Sequence, residues 1–353
     1  MKEINLYMST FRSRQFKLAA TVCTTCHYLL IVSWLTLLLG CSPKPMPVIL
    51  DTDIAPDFDD VGAMALLHSF ADAGEVKILG TFSCNSFQTT GPTLSVLNTY
   101  FNRAEIPIGV SRAEKPNMAC GQKWAEAIIE KYPHALKKNE EAWDAVKLYR
   151  KLLASETDKS VIIITTGFFT NMAKLLDSKP DKFSKLNGKQ LVEQKVKQLV
   201  SMAAGIGEDG KSFREYNVLI DAPAAKKVFS EWPKPVLLSG FEIGKKILTG
   251  IPLISNESIK NSPVKDAYQI ALSKDNNLEG RNSWDQTAVL VAVRGIQPYF
   301  NSVKVNFEIK DDGTNTLIPG EKFEYLREKM APAEVAKIIE NLMMHQPKKT
   351  SKE

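Results

Sequence analysis

Apolar runs and amphipathic stretches alternate along most of the chain. Runs rich in Val, Ile and Leu at residues 47–50, 76–83, 106–110, 160–165, 197–203 and 235–239 predict strands, because such segments bounded by turn residues suit a buried sheet. Between them, apolar positions recur at helical spacing over residues 60–73, 89–102, 121–132, 141–155, 170–176 and 222–232. The last third predicts helices at 263–272 and 285–293, an edge hairpin around 303–318 and a closing helix at 332–343. Strands separated by helices argue a parallel sheet covered on both faces. The expected fold class is therefore α/β, with a mainly parallel, Rossmann-like central sheet flanked by helices. Ligands of such sheets bind beyond the carboxyl ends of the strands. That rule singles out residues 51–60, 84–86, 165–169, 204–217 and 240–243.

With 353 residues, 44% hydrophobic and 24% charged, the chain can bury one large core. One domain is expected over residues 48–345, followed by a flexible tail at 346–353. The first forty residues read differently. Arg12, Arg14 and Lys17 precede an apolar run without Lys, Arg, Asp or Glu, which ends Leu38-Leu39-Gly40-Cys41. These are the parts of an export signal, and the ending is similar to a bacterial lipobox in which Cys41 carries the lipid. The expectation is a signal peptide over 1–40, a tether over 41–47, and an exported protein held by its lipid on a bacterial membrane, at the periplasmic side or the cell surface. A retained apolar anchor is the alternative. The leader holds four of the 45 basic and one of the 40 acidic residues, so the remainder carries a net charge of +2. Nucleic acid is not an expected partner of so balanced a chain. Of five cysteines only Cys84 and Cys120 lie beyond the leader, and their pairing is left open.

The densest chemical signal follows the first strand. Asp51, Asp53, Asp57, Asp59 and Asp60 place five carboxylates within ten residues, leading into a helix. Packed together without a cation they repel one another, and hard oxygen ligands in such density suit Ca²⁺ or Mg²⁺. Capping of the helix by one or two of them is the plain alternative. An apolar strand followed by Asp-x-Asp also opens haloacid-dehalogenase-type phosphatases. Those need a later pair of acids at a strand end, whereas Asp311-Asp312 falls in an expected hairpin turn.

From Val48 to about Val293 the sequence resembles the inosine-uridine-preferring nucleoside hydrolase family. The resemblance rests on Asp51-Thr-Asp53 with Asp59-Asp60, then Gly80 to Asn85, Ile164 to Asn171, Glu215-Tyr-Asn217 with Asp221, and Trp284-Asp285-Gln-Thr-Ala-Val, in that order. It implies a nucleoside-hydrolase-like fold and Ca²⁺-dependent hydrolysis of the N-glycosidic bond of a nucleoside or related N-riboside, and it allows a homo-oligomer. Asp53 would hold the ion and act as general base on the attacking water. Asp60, Asp285 and the main-chain carbonyl of Thr166 would complete the protein ligands. The resemblance gives Asn85 and Asp59 the ribose hydroxyls and the orientation of the nucleophile, with Asn85 and Asp285 joining Asp53 as catalytic positions. Glu215 and Asn217 would hold the sugar from its other side. It leaves Asp51 and Asn171 as supports and Asp57, in a two-residue extension of the motif, without a role. The chemistry is coherent, since carboxylates stabilise the oxocarbenium-like transition state of a breaking ribosidic bond.

The pattern also departs from the family. Many members carry a histidine directly before the acid matching Asp285, and here that residue is Trp284. None of the four histidines falls in a matching segment, so leaving-group activation is expected without one. Trp284 is read as stacking on the base or as packing in the core. Asp209 stands where an Asn is frequent, and Glu242 stands where an Asp is usual and is read as a support of the site. A binding protein that keeps the ion and ribose pocket without turnover is the competing function.

Overall fold

The computed structural model describes residues 44–348. The expected export signal, Cys41 and the last part of the tail lie outside these residues. The strands are β1 (Met46–Thr52), β2 (Val76–Ser83), β3 (Ile108–Val110), β4 (Trp143–Asp144), β5 (Val161–Thr165), β6 (Val196–Met202), β7 (Ser212–Phe213), β8 (Val236–Ser239), β9 (Leu248–Thr249), β10 (Arg281–Asn282), β11 (Phe300–Ile309) and β12 (Asn315–Glu328). In the main sheet they run in the order β11-β12-β8-β6-β5-β1-β2-β3-β4, with β7 beside β12. Every neighbour pair from β12–β8 to β3–β4 is parallel; β11 and β7 pair with β12 antiparallel. β9 and β10 form a separate two-stranded ribbon.

Alternation along β1 explains the layering. Val48 and Leu50 join one apolar layer and Ile49 the other, because successive strand side chains point to opposite faces. The helices Asp59–Asp72, Thr90–Tyr100, Pro263–Lys274, Trp284–Arg294 and Pro332–Met343 cover the first face, and Ala145–Ser155, Thr170–Asp177, Gly188–Lys195 and Ala222–Glu231 cover the second. Each fully buried Leu or Ile in these layers contributes about 1.5–3 kcal/mol.

The sheet and its covering helices agree with the hydrophobic pattern, and the differences are local. Met46 and Pro47 already belong to β1, in register with Val76 and Lys77, so the tether ends earlier than expected. The helix Gly188–Lys195 has no counterpart in the sequence reading; its stretch is mostly polar and buries only Gly188, Leu191 and Val192. Of the expected tail, Gln346 accepts a hydrogen bond from Tyr100 and the carbonyl of Lys348 accepts one from Asn102. Cys84 and Cys120 are buried and unpaired. Among the described residues no helix is long and apolar enough to cross a membrane.

Candidate active site

At the carboxyl end of the sheet the chain leaves β1 and enters the helix Asp59–Asp72 through the acidic loop. Thr52 falls on the same face as Leu50, and its hydroxyl donates to Asp60 Oδ1. Thr166, the first residue after β5, donates to the same oxygen at 3.1 Å. Gly167 lets this loop close on β1's end, because a Cβ there would collide with the main-chain nitrogen of Asp53. The helix Trp284–Arg294 brings Asp285 in from a distant part of the chain, and its main-chain N–H donates to Asp59 Oδ2 at 3.3 Å. Neither helix is capped by its own N-cap residue, Phe58 or Ser283; Asp59 instead serves the first turn of the second helix through the Asp285 N–H. Capping thus accounts for one oxygen of Asp59 and leaves the burial of Asp60 and Asp285 to another cause.

Asp59, Asp60, Thr166 and Asp285 line a cavity of about 220 Å³ with Asp53, Asp57, Glu215, Tyr216, Asn217, Phe241, Arg281 and Trp284. Six carboxyl groups share it with one guanidinium. Burial and the charges of Asp60, Asp57 and Asp59 raise Asp53 well above the carboxylate range. Burial and the nearby Asp59 and Asp60 do the same to Asp285. Asp60 is pushed up to about 7, by burial first and Asp59 second. Its carboxyl interacts directly with that of Asp285, yet Asp60 Oδ2 makes no hydrogen bond of good geometry to any described residue. A buried anionic oxygen without a partner is costly, and a hard cation would satisfy it. The donor set therefore fits a divalent ion. As they stand, no three His, Cys, Asp or Glu side chains among the described residues form a closed ligand group, in keeping with mutual repulsion of like charges.

The expected residues separate into two groups. Asp53, Asp59, Asp60, Thr166, Glu215, Asn217, Trp284 and Asp285 all reach the cavity. Asn85 does not line it: its amide donates to the carbonyls of Asp53 and Met118 and accepts from the N–H groups of Phe87 and Met118. In this arrangement Asn85 braces the Asp53 loop from behind. Glu215 lines the wall but accepts three main-chain N–H groups, of Asn217, Val218 and Ala204; burial nonetheless lifts it to about 7. Asn217 donates to the carbonyl of Met202 at 3.1 Å and, at 3.5 Å, to that of Thr166. Trp284 gives its indole N–H to the carbonyl of Phe241 and stacks on the Phe241 ring. Glu242 accepts from Tyr325, and Asp209 closes a turn by accepting from Lys211 and Ser212.

Arg281, Tyr216 and Phe241 are cavity residues that sequence reasoning missed. Arg281 donates to Asp59 through Nε at 3.2 Å and Nη2 at 3.0 Å and pairs with Asp57. Asp57 thereby gains a partner, although burial and Asp59 still hold it up at about 8. Arg281 lies on the β9–β10 ribbon, outside the five strand-end segments. The only signal was a lone basic residue near Trp284.

The sequence model of the family described as inosine-uridine preferring nucleoside hydrolase matches residues 48–342. A pyrimidine-specific ribonucleoside hydrolase, RihA, of Enterobacter sp. (strain 638) is 30% identical over 213 residues, covering 56% of this chain and 60% of that protein. The match thus spans under two thirds of that relative's length. Among solved structures, a purine-preferring ribonucleoside hydrolase from Gardnerella vaginalis superposes with a TM-score of 0.63 at 17% identity, covering 84% of this chain and 99% of that one. An inosine-uridine preferring nucleoside hydrolase from Bacillus anthracis gives 0.62 at 14% identity, with 85% and 99% covered. The structural likenesses establish the shared fold, and the match across residues 48–342 goes further: the chain belongs to the inosine-uridine preferring nucleoside hydrolase family.

Proposed function

We propose that this chain hydrolyses the N-glycosidic bond of a nucleoside or related N-riboside, with Ca²⁺ as its metal. Asp53, Asp60, Asp285 and the main-chain carbonyl of Thr166 would hold the ion, an all-oxygen set suited to calcium. When bound, the ion supplies a positive charge that acidifies water and anchors ribose hydroxyls. Asp53 accepts the proton of the attacking water. Asp59, fixed by Arg281, takes a ribose hydroxyl, and Asn217 holds the sugar from the facing wall. Glu215 contributes charge there while its oxygens fix the backbone. Asn85 keeps the Asp53 loop in place. As the C1′–N bond lengthens, the surrounding carboxylates stabilise the positive charge on the sugar.

The observation that carries this reading is the convergence of Asp53, Asp60, Thr166 and Asp285, from three distant parts of the chain, on one small cavity. Its test is release of reducing sugar from a panel of purine and pyrimidine nucleosides, with and without chelator, by wild type and Asp53→Ala. Release that survives both treatments contradicts the metal mechanism. A binding protein without turnover is the second reading, favoured by a cavity that no described histidine lines; ribose or nucleoside binding with no release would select it. Lipid anchoring at Cys41 rests on the leader sequence alone, and incorporation of labelled palmitate that persists in Cys41→Ala would contradict it.

A further inference from the structure

An N-ribosidase must stabilise the electron pair that the departing base carries away, and the cavity offers few unspent donors for it. Tyr216 gives its hydroxyl to Met118 Sδ. Trp284 gives its indole N–H to Phe241, Thr166 its hydroxyl to Asp60, and Asn217 its amide to Met202 and Thr166. Arg281 is the exception. It spends Nε and Nη2 on Asp59 and Asp57, while Nη1 makes no hydrogen bond to any described residue. The guanidinium also sits between two rings: its central carbon lies 5.0 Å from the centre of the Trp284 ring and 5.1 Å from that of Phe58. Its side chain is 18% exposed and lines the cavity.

Resting on the N-ribosidase reading, we infer that Arg281 is the leaving-group contact of this enzyme, donating from Nη1 to a carbonyl oxygen or ring nitrogen of the departing base. The C1′–N bonding pair moves to the base as water oxygen bonds to C1′ and its proton passes to Asp53. The base then takes a proton from solvent, and Asp53 returns its own. Arg281 transfers no proton at any stage. Two carboxylates hold the guanidinium charged and in place, so it needs no reorganisation as the base becomes anionic. Trp284 serves the same contact indirectly, as the surface on which the guanidinium rests.

The test compares substrates that share the ribose but differ in leaving group. Wild type, Arg281→Gln and Arg281→Lys are assayed on uridine, inosine and 4-nitrophenyl β-D-ribofuranoside, whose phenolate departs without help. Arg281→Gln is expected to lose about 10²–10³-fold in kcat on both nucleosides, the usual loss for one preorganised donor. On the nitrophenyl riboside, where only the hold on Asp59 is lost, kcat falls at least about tenfold less than on the nucleosides, because leaving-group assistance matters little there. Arg281→Lys recovers part of the nucleoside loss through its charge. Activity on the nitrophenyl riboside also reports that each variant folds and keeps its sugar site. Parallel losses on all three substrates would assign Arg281 to holding Asp59 and overturn the inference, as would unchanged nucleoside turnover. Wild type that cleaves neither nucleoside overturns the N-ribosidase reading itself, and this inference with it.

Discussion

Two buried acid sites lie on opposite faces of the sheet at the end of β1, and they solve the burial of charge differently. On the face shared with Ile49, Asp51 accepts hydrogen bonds from Tyr149 at 2.9 Å and from Asn171 at 3.0 Å. Burial still pushes Asp51 up to about 7, but these bonds pull the other way. On the face shared with Leu50, Asp60 and Asp285 lie together beside Asp53 at the strand's end, and Asp60 keeps an oxygen without a partner. The first site is complete within the protein. The second, on the proposed reading, is completed by a cation. Equal burial therefore says little about function; what the carboxylate oxygens touch separates a support from a site.

The sharpest way to break this contrast is to neutralise one acid of the second site. Asp60→Asn is expected to lower kcat by about 10³-fold or more, since on the proposed reading it removes an ion ligand from the reacting centre. It should also raise the melting temperature of the chelator-treated protein by relieving like-charge repulsion. A lower melting point with activity kept would reverse the assignment of the two sites.

The next effect is on pH. Asp51, Asp60 and Glu215 are held near 7 in the fold, against about 4 in an unfolded chain. A raised folded pKa means that the native state binds protons more tightly, so these groups favour the fold at low pH and that contribution is lost as pH rises through about 7. Melting temperatures of the metal-free protein are expected to fall from pH 5 to pH 8. Ca²⁺ at about 100 times its Kd should restore about 2.7 kcal/mol at pH 8, because it binds the deprotonated ligands. A metal-free profile that rises over that range would contradict the environments described for these acids.

The smallest effect sharpens the other face. Tyr149→Phe leaves an oxygen of Asp51 short of a donor and should cost about 1–3 kcal/mol of stability, measured by denaturant unfolding. Its kcat should change by less than about threefold, because no substrate contact is lost. A large fall in kcat with unchanged stability would make Asp51 part of the chemistry.

Most of this was legible in the sequence wherever one element decides the outcome. The apolar runs located the strands, and the strand-end rule placed the acidic loop, Thr166 and Asn217 at the cavity. Side-chain direction was less legible. Asn85 follows β2 as expected, but its amide is spent on the loop of Asp53 and on Met118, a choice made by two segments that sequence cannot place together. Asp285 stands in the first turn of a helix, where an acid suits the dipole as readily as a site, and the packing of Trp284–Arg294 against the first helix brings it beside Asp60. Arg281 was invisible because it belongs to a two-residue strand with no periodicity, and its partners Asp57 and Asp59 lie more than 220 residues away. The helix Gly188–Lys195 escaped notice because it carries too few apolar positions to mark a face.

Calorimetric titration of the chelator-stripped protein with Ca²⁺ is the most direct test of whether the acids at the cavity form an ion site. One ion per chain should bind to wild type with proton release, and Asp60→Asn should show no saturable heat. A wild type that binds no ion at pH 7–8, or an Asp60→Asn variant that binds as tightly as wild type, would contradict the assignment of these carboxylates.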